Sequence, residues 1–452
     1  MTTVMVIGAG PAGMSAALEL QERGLAVIVL DDQPAPGGRI FAAIEKRELH
    51  GREDKSGAEL VARFRAVGGE YLSATEVWQI DSGTRVFLTH EGRARMIEPN
   101  FVLLATGAQE RPMPFSGWQL PGVMTVGAAQ ILLKTAAQVP DRPVWLAGTG
   151  PLLLLYARQL VAAGGAVAGI LDTAPRHRRV AALPLIPRAL PYGWRDLARG
   201  IGWLAAMSRL RVIRNVGSLE ALGTDRIEGI RFRTRDGTER EVDTDLLFVH
   251  DGVVPAVHTT MAAGCAHRWN SMQQSFEPLL DDFGGSSIPN IFVAGDGATI
   301  AGARAATISG RLAAIGIARA AGTMSHMAAE TAAIPLRREL AAASGFRRLI
   351  DTLYPPSELA LSDDTMVCRC EEVSAGKIRE ALHARPHLGP DGVKIATRAG
   401  MGPCQGRQCG LSLARLVQEA HGGSRSDIGF LRVRAPLKPL TLGELASLET
   451  NS

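Results

Sequence analysis

The sequence predicts an α/β fold built from two dinucleotide-binding units of Rossmann type, followed by a small helical module at the C-terminus. Three observations predict it. A glycine-rich turn lies between a strand and a helix near residue 8, a second such turn lies near residue 148, and four cysteines gather between residues 368 and 409. At 452 residues the chain is too long for one compact domain, and length suggests about three. A composition of 46% hydrophobic and 21% charged residues with 50 glycines is that of a globular, glycine-rich protein.

A formal charge of +4 over the whole length is too small to argue for nucleic acid, and no such partner is expected. Residues 1–13 lack the basic start and small-residue cleavage site of a signal peptide. The apolar run at 151–171 is interrupted by Arg158, Gln159 and the Gly164-Gly165 pair, so it reads as a helix and a buried strand, and no transmembrane segment is expected. Four of the five cysteines lie close together, which suits a metal site in a reducing compartment better than a disulfide framework. A cytoplasmic location is the corresponding expectation.

Residues 4–7 form a short apolar strand, 11–23 suit a helix and 26–30 are a second β-rich run, which together make a βαβ unit. Gly8-Ala9-Gly10-Pro11-Ala12-Gly13 follows the strand and opens the helix, the context in which this spacing marks a dinucleotide site. Gly8 permits the tight turn, Gly10 lets the backbone approach a pyrophosphate, and Gly13 lets helix and strand pack closely. The helix N-terminus then offers free N–H groups to the phosphates. Asp31, with Asp32 beside it, ends the second strand, where a carboxylate accepts hydrogen bonds from ribose hydroxyls.

A small meander is expected within 83–104. A second βαβ unit follows at 144–146, 151–163 and 166–171. Its turn, Gly148-Thr149-Gly150-Pro151-Leu152-Leu153, has Leu153 in place of the third glycine, which holds the helix farther from the strand. That turn is open to NAD(P), to another nucleotide such as ATP, or to a purely structural role. Strand-like runs at 246–250 and 291–294 are expected to return the chain to the first domain, and 322–334 reads as a connection to a separate module.

Cys368-Arg369-Cys370 and Cys404-Gln405-Gly406-Arg407-Gln408-Cys409 give CxC and CxxxxC. Four thiolates are what a [2Fe-2S] cluster needs. Structural zinc also takes four cysteines, but CxC is tighter than its usual ligand spacing. Ser374 is placed to cap a helix over 375–384, and the second pair precedes a helix over 411–420. Backbone N–H groups in such turns stabilise a negatively charged cluster. No CxxC or CxxxxC occurs in the first 360 residues, so disulfide-reductase chemistry is set aside, and Cys265 reads as a small buried hydrophobe. The basic stretch 188–214, with Trp194 and Trp203, reads as solvated helix or as a docking surface. His250-Asp251, at a strand end, reads as a satisfied pair, and no side chain stands out as a catalytic base.

Pro36-Gly37-Gly38-Arg39, Ala105-Thr106-Gly107-Ala108 and Ile291-Phe292-Val293-Ala294-Gly295-Asp296, with the first glycine turn, resemble the two-dinucleotide-domain flavoproteins that include thioredoxin and glutathione reductases. The resemblance implies FAD at the first site. It also implies that Gly295-Asp296 binds the ribitol chain, that Ala105, Thr106 and Gly107 line the FAD domain where the chain crosses, and that Arg39, in place of a common Gln, lies near the flavin. The expected division is an FAD-binding domain over 1–115 and 251–325, an NAD(P)-type domain over 116–250, and a linker, [2Fe-2S] module and tail over 326–452.

With the cysteines in view, the whole chain resembles the alpha subunits of hetero-oligomeric bacterial amine dehydrogenases: opine oxidases, proline and D-hydroxyproline dehydrogenases, and hydrogen cyanide synthase. The resemblance is carried by DDQPAPGGR at 31–39, GTGPLLLL at 148–155, VCRCEEV at 367–373 and GMGPCQGRQCG at 400–410. The module is also similar to bacterioferritin-associated ferredoxin, which has a shorter second cysteine pair. The resemblance implies that an FAD-containing, amine-oxidase-like beta subunit oxidises the C–N bond of an amino acid or opine and that this chain takes the electrons. It would deliver them to a small ferredoxin-like subunit, a quinone or the respiratory chain. A self-sufficient NAD(P)H-dependent reductase and a zinc-bearing scaffold are the two other readings of the motifs.

Overall fold

The computed structural model describes residues 2–448 apart from 50, 82, 188, 191, 192, 195, 196, 199, 201, 203–209 and 358. A first parallel sheet runs in the order Ile291–Val293, Phe101–Leu104, Thr3–Ile7, Ala26–Leu30, Glu70–Leu72. Its central strands are apolar along their whole length because both faces are covered. The helix Pro11–Glu22 packs on one face beside the helix Ala303–Ala320. Glycine allows both close approaches: a Cβ on Gly13 would fall 1.8 Å from the Gly8 carbonyl oxygen, and one on Gly310 would fall 2.1 Å from that of Ala12.

A second parallel sheet repeats the plan in the order Val212–Arg214, Val167–Asp172, Val144–Thr149, Leu247–Asp251, Val123–Thr125. The run at 246–250 thus belongs to this sheet and does not return the chain to the first one, because Leu247, Phe248 and Val249 fill a slot buried on both faces. The return comes just after it, where Val253–Pro255 pairs antiparallel with Ala108–Glu110 on the outgoing crossing. Leu153 is 2% exposed and packs with Val144, Leu146, Tyr156 and Phe248, a wedge between the helix Pro151–Ala162 and its sheet.

The meander starts earlier than 83, with Thr75–Ile80, Val86–His90 and Arg93–Ile97, while Phe101–Leu104 joins the first sheet. The stretch at 322–334 is no loose connection. Most of it opens the 28-residue helix His326–Leu353, capped by the Ser325 hydroxyl, which accepts from the Ala328 N–H. Alanine favours helix, and Ala329, Ala333 and Leu336 form a stripe that packs on Phe283, Ile308, Leu312 and Ile315.

The C-terminal module comprises a short hairpin, Met366–Cys368 with Val373–Ser374, and the helices Ala375–Ala384, Pro390–Thr397 and Gly410–His421. Ser374 caps the first of these helices, accepting from the Lys377 N–H. The module is held on both sides. Trp118 Nε1 donates to the Met366 carbonyl at 2.6 Å, and in the tail the Leu437 N–H donates to the Trp78 carbonyl at 2.7 Å. No helix among the described residues is long and apolar enough to cross a membrane. Of the basic stretch, Arg188 and Trp203 lie outside the described residues, and Trp194 is largely exposed.

Candidate cofactor sites

At the first glycine turn Gly8 has φ +109°, and a Cβ there would meet the Ala105 carbonyl oxygen at 2.4 Å, so the neighbouring strand passes in contact. Gly10 is different. Its nearest neighbour for an added Cβ is the Gly38 Cα at 3.9 Å, which leaves room over the backbone. The helix opens with Pro11 and Ala12, has no side-chain cap and carries no acid in its first turn. Its N–H groups and dipole therefore remain free for an anion, and a pyrophosphate fits this cradle. Gly37 and Gly38, both at positive φ, fold the loop over it, and the Gly37 N–H donates to the Ala9 carbonyl.

Asp31 is buried and accepts from the N–H groups of Ala9 and Gln33. Burial raises its pKa above the usual carboxylate value. Each oxygen keeps a further lone pair for a ribose hydroxyl. Asp32 is exposed and meets Lys438 of the tail, whose Nζ lies 3.2 Å from Asp32 and 3.2 Å from Glu76. Arg39 is exposed and its charge bears on Asp31 and Asp32.

Thr106 and Gly107 begin the outgoing crossing and touch the Gly295-Asp296-Gly297 turn: a Cβ on Gly297 would lie 3.1 Å from Thr106 Oγ1. Asp296 Oδ1 accepts from the Ala301 and Gly302 N–H groups at 3.0 and 3.1 Å. Gly302, at φ +91°, starts the helix Ala303–Ala320, again without a side-chain cap or a first-turn acid. Sequence reasoning missed this second free N-terminus, for which the only signal was a glycine six residues after Asp296.

The second glycine turn has the same construction. Gly148 and Gly150 have φ +127° and +112°, and the helix Pro151–Ala162 is uncapped with no first-turn acid. A Cβ on Gly148 would meet the His250 carbonyl oxygen at 1.8 Å, so His250-Asp251-Gly252 stands here where Ala105-Thr106-Gly107 stands at the first turn. Asp172 ends the next strand as Asp31 does, accepts the Ala174 N–H two residues on, and has its pKa raised by burial. Sequence reasoning missed Asp172 as well; its place at the strand end was the available signal.

His250 and Asp251 are both satisfied. His250 Nδ1 is 2.6 Å from Glu110, whose carboxylate also accepts from the Gly127 N–H. Asp251 accepts from the Ser357 N–H at 2.6 Å, and burial pushes its pKa up to about 6 against the opposing charge of Arg111. That value lies above the ordinary 3.8, so Asp251 resists ionisation in the folded chain. As pH rises from about 4 to about 6 the unfolded chain loses this proton first, and stability falls by roughly 2–3 kcal/mol before levelling off. In Asp251→Asn this fall should vanish; melting curves of the two proteins that run parallel across the interval would show the assignment to be wrong.

Cys368 and Cys409 are buried, Cys370 is exposed, Cys404 is intermediate, and all four are free thiols. They lie close enough together that each bears on the charge of the others. The Gly400 N–H donates to Cys368 Sγ at 3.4 Å. Among the described residues no three His, Cys, Asp or Glu side chains converge closely enough to hold a single metal ion. A Cβ on Gly402 would fall 2.3 Å from Cys370 Cβ. Gly402→Ala should therefore push Cys370 aside and remove most of the iron–sulfur absorbance while leaving the flavin spectrum in place; bound iron equal to wild type would count against it.

The cluster loop also meets the first domain directly. Gln109 Nε2 donates to the Arg407 carbonyl at 3.0 Å, and Arg407 Nη1 donates to the carbonyls of Cys404 and Leu437.

Fold and site together define an oxidoreductase of two dinucleotide domains with an appended cysteine module. Residues 2–322 match the family described as pyridine nucleotide-disulphide oxidoreductase, and 366–419 match the BFD-like [2Fe-2S] binding domain. An opine oxidase subunit of Rhizobium meliloti is 42% identical over 98% of this chain and 87% of its own length. Hydrogen cyanide synthase subunit HcnB of Pseudomonas aeruginosa is 32% identical over 99% of each. The structure of L-proline dehydrogenase from P. horikoshii shares the fold at TM-score 0.68 and 22% identity, over 98% of this chain and 79% of that one.

The chain belongs to the pyridine nucleotide-disulphide oxidoreductase family and, within it, to the family of these opine oxidase subunits. Membership implies FAD and a [2Fe-2S] cluster as cofactors and makes the chain an oxidoreductase subunit.

Proposed function

We propose that this chain is the electron-transfer subunit of a hetero-oligomeric dehydrogenase in which a partner flavoprotein subunit oxidises the C–N bond of an opine or an amino acid such as proline or hydroxyproline. One observation carries it. A dinucleotide cradle and a four-cysteine site share one chain and are joined by the contact between Gln109 and Arg407.

In this reading the pyrophosphate of FAD lies on Gly8, Gly10, Pro11, Ala12 and Gly13, Asp31 takes the adenosine ribose, and Asp32, Gly38 and Arg39 flank that end. Ala105, Thr106, Gly107, Gly295 and Asp296 line the ribitol and flavin end. Cys368, Cys370, Cys404 and Cys409 hold the cluster. Flavin takes electrons in pairs and the cluster passes them singly, so together the two split a two-electron oxidation into single steps. The protein's own part is to hold the two sites at a fixed separation, which Gln109, Arg407 and the tail do. The second glycine turn takes an adenine nucleotide, NAD(P) or ATP in kind.

The reading places the chain in the cytoplasm, with the amine-oxidase-like flavoprotein as its partner, and sends the electrons on to a small ferredoxin-like subunit. The test is anaerobic tagged purification from the native host, with mass spectrometry of whatever comes down in stoichiometric amount and assay of iron and acid-labile sulfide. An amine-oxidising flavoprotein is expected. Recovery of the chain alone, with NAD(P)H bleaching its flavin, would give the function to a self-sufficient reductase.

A further inference from the structure

Arg407 lies inside the second cysteine pair, between Cys404 and Cys409. Its side chain turns back over its own loop, where Nη1 donates to the Cys404 carbonyl at 3.2 Å and to the Leu437 carbonyl of the tail at 3.1 Å. Its main-chain N–H donates to the same Cys404 carbonyl at 3.0 Å, and its own carbonyl accepts from Gln109. Gln109 stands two residues beyond Gly107, so the loop is fastened to the crossing that lines the first cofactor site. Cluster loop, tail and first domain therefore meet at Arg407.

Both acceptors of this side chain are neutral carbonyls. Among the described residues no carboxylate lies within ion-pair distance of the Arg407 guanidinium, and the residue is half-buried. An arginine keeps its charge at every pH a folded protein meets. A charge drawn out of water is costly unless an opposite charge stands near it. The group in that place is the cysteine site, since the charges of Arg407 and Cys404 bear on one another. Four thiolates leave a [2Fe-2S] cluster negatively charged, and an added electron makes it more so.

The neighbouring charges are accounted for differently. Glu371, next to Cys370, is ion-paired with Arg398 at 2.7 Å, so the two largely cancel. Arg369, between Cys368 and Cys370, is exposed and lies over the Trp118 ring at 5.1 Å, where water and salt screen it. On the first-domain side His258 is 4% exposed and stands edge-on to Phe430. Burial, with the Arg407 charge added, pushes its pKa down to about 3, so it stays neutral.

We propose that Arg407 is a positioning residue that sets the reduction potential of the cluster: its charge, without a carboxylate to cancel it, favours the state that carries the extra electron. This rests on the cluster reading of the four cysteines. Arg407 itself exchanges neither proton nor electron. The electron comes from reduced flavin, converts one ferric iron to ferrous, and passes on to a one-electron acceptor. Because loop, tail and first domain all hold Arg407, its charge stands at a fixed distance from the cysteines, and the pull from flavin site to module is built into the contact that joins them.

The test is an anaerobic redox titration of the full chain carrying FAD and cluster, followed by electron paramagnetic resonance of the reduced cluster. Arg407→Gln should keep its iron and flavin, yet move the electron equilibrium between the two about tenfold toward the flavin, a fall of about 59 mV in the one-electron potential of the cluster. Arg407→Lys keeps the charge and should stay within about threefold of wild type. Arg369→Gln removes a screened charge and should also stay within about threefold. The fall in Arg407→Gln should be the same at about pH 6 and about pH 8, because arginine does not titrate between them. Should Arg407→Gln lose its iron, Arg407→Met, whose apolar stem fills the same space, takes its place with the same expected fall. A potential in the neutral variant equal to that of wild type, or an equal fall in Arg407→Lys, overturns the proposal. Absence of any iron–sulfur signal from the wild type overturns the cluster reading, and the proposal with it.

Discussion

Replacing Cys409 by serine should leave the purified chain with less than about a tenth of its iron and without iron–sulfur absorbance, since a [2Fe-2S] cluster needs all four thiolates. FAD should remain bound. Cys409 is fully buried and forms the N-cap of the helix Gly410–His421. Serine cannot replace a thiolate here, and its hydroxyl sits in an apolar shell with Val367, Leu413 and Leu416, so the module should also lose roughly 1–3 kcal/mol. Iron and sulfide assays with circular dichroism check both parts. The exposed Cys370 makes the contrast: Cys370→Ser should lose iron without the stability penalty. Retention of iron in Cys409→Ser would remove the cluster assignment.

The second large effect separates folding from cofactor binding within one glycine turn. A methyl on Gly13 would overlap the Gly8 carbonyl at 1.8 Å, backbone against backbone, with no side chain able to yield. Gly13→Ala should therefore push the helix off its strand, costing about 3 kcal/mol or more in stability and carrying FAD binding with it. Gly10 has φ −77° and open space where its methyl would go. Gly10→Ala should melt within a degree or two of wild type yet bind FAD at least about a hundredfold more weakly, because the methyl stands where the pyrophosphate must approach. Thermal melts with and without added FAD, and the flavin content as purified, check the pair. Equal flavin content in Gly10→Ala and wild type would mean that the phosphates lie elsewhere.

What the sequence showed best was local. The strand, glycine turn and helix around Gly8 and Gly148, the Ser374 cap and the short cysteine spacings each depend on residues within a turn or two of one another. What it hid was set by residues far apart. The alanine-rich stretch after residue 322 reads as a connection because its partners, Phe283, Ile308 and Leu312, come from distant segments. The strand at 246–250 is visible as a strand, but whether it joins the first or the second sheet depends on which edge remains open, and only the pairing with Val144–Thr149 decides that. Asp172 lacks the flanking glycine loop that draws the eye to Asp31.

The order of strands in the first sheet sets a timetable for making the protein. Phe101–Leu104 takes Ile291–Val293 as its outer neighbour, and some 190 residues, the whole second domain among them, separate the two. At ordinary rates of translation roughly ten to forty seconds pass before that edge can be paired. During that interval the first glycine turn exists, but the turn carrying Asp296 and the helix beginning at Ala303 do not. The second domain, continuous between its crossings, can close first, and the half-built first domain waits with an apolar strand edge uncovered. Chaperone capture of the nascent chain should peak in that interval, and flavin should enter a growing chain only after it.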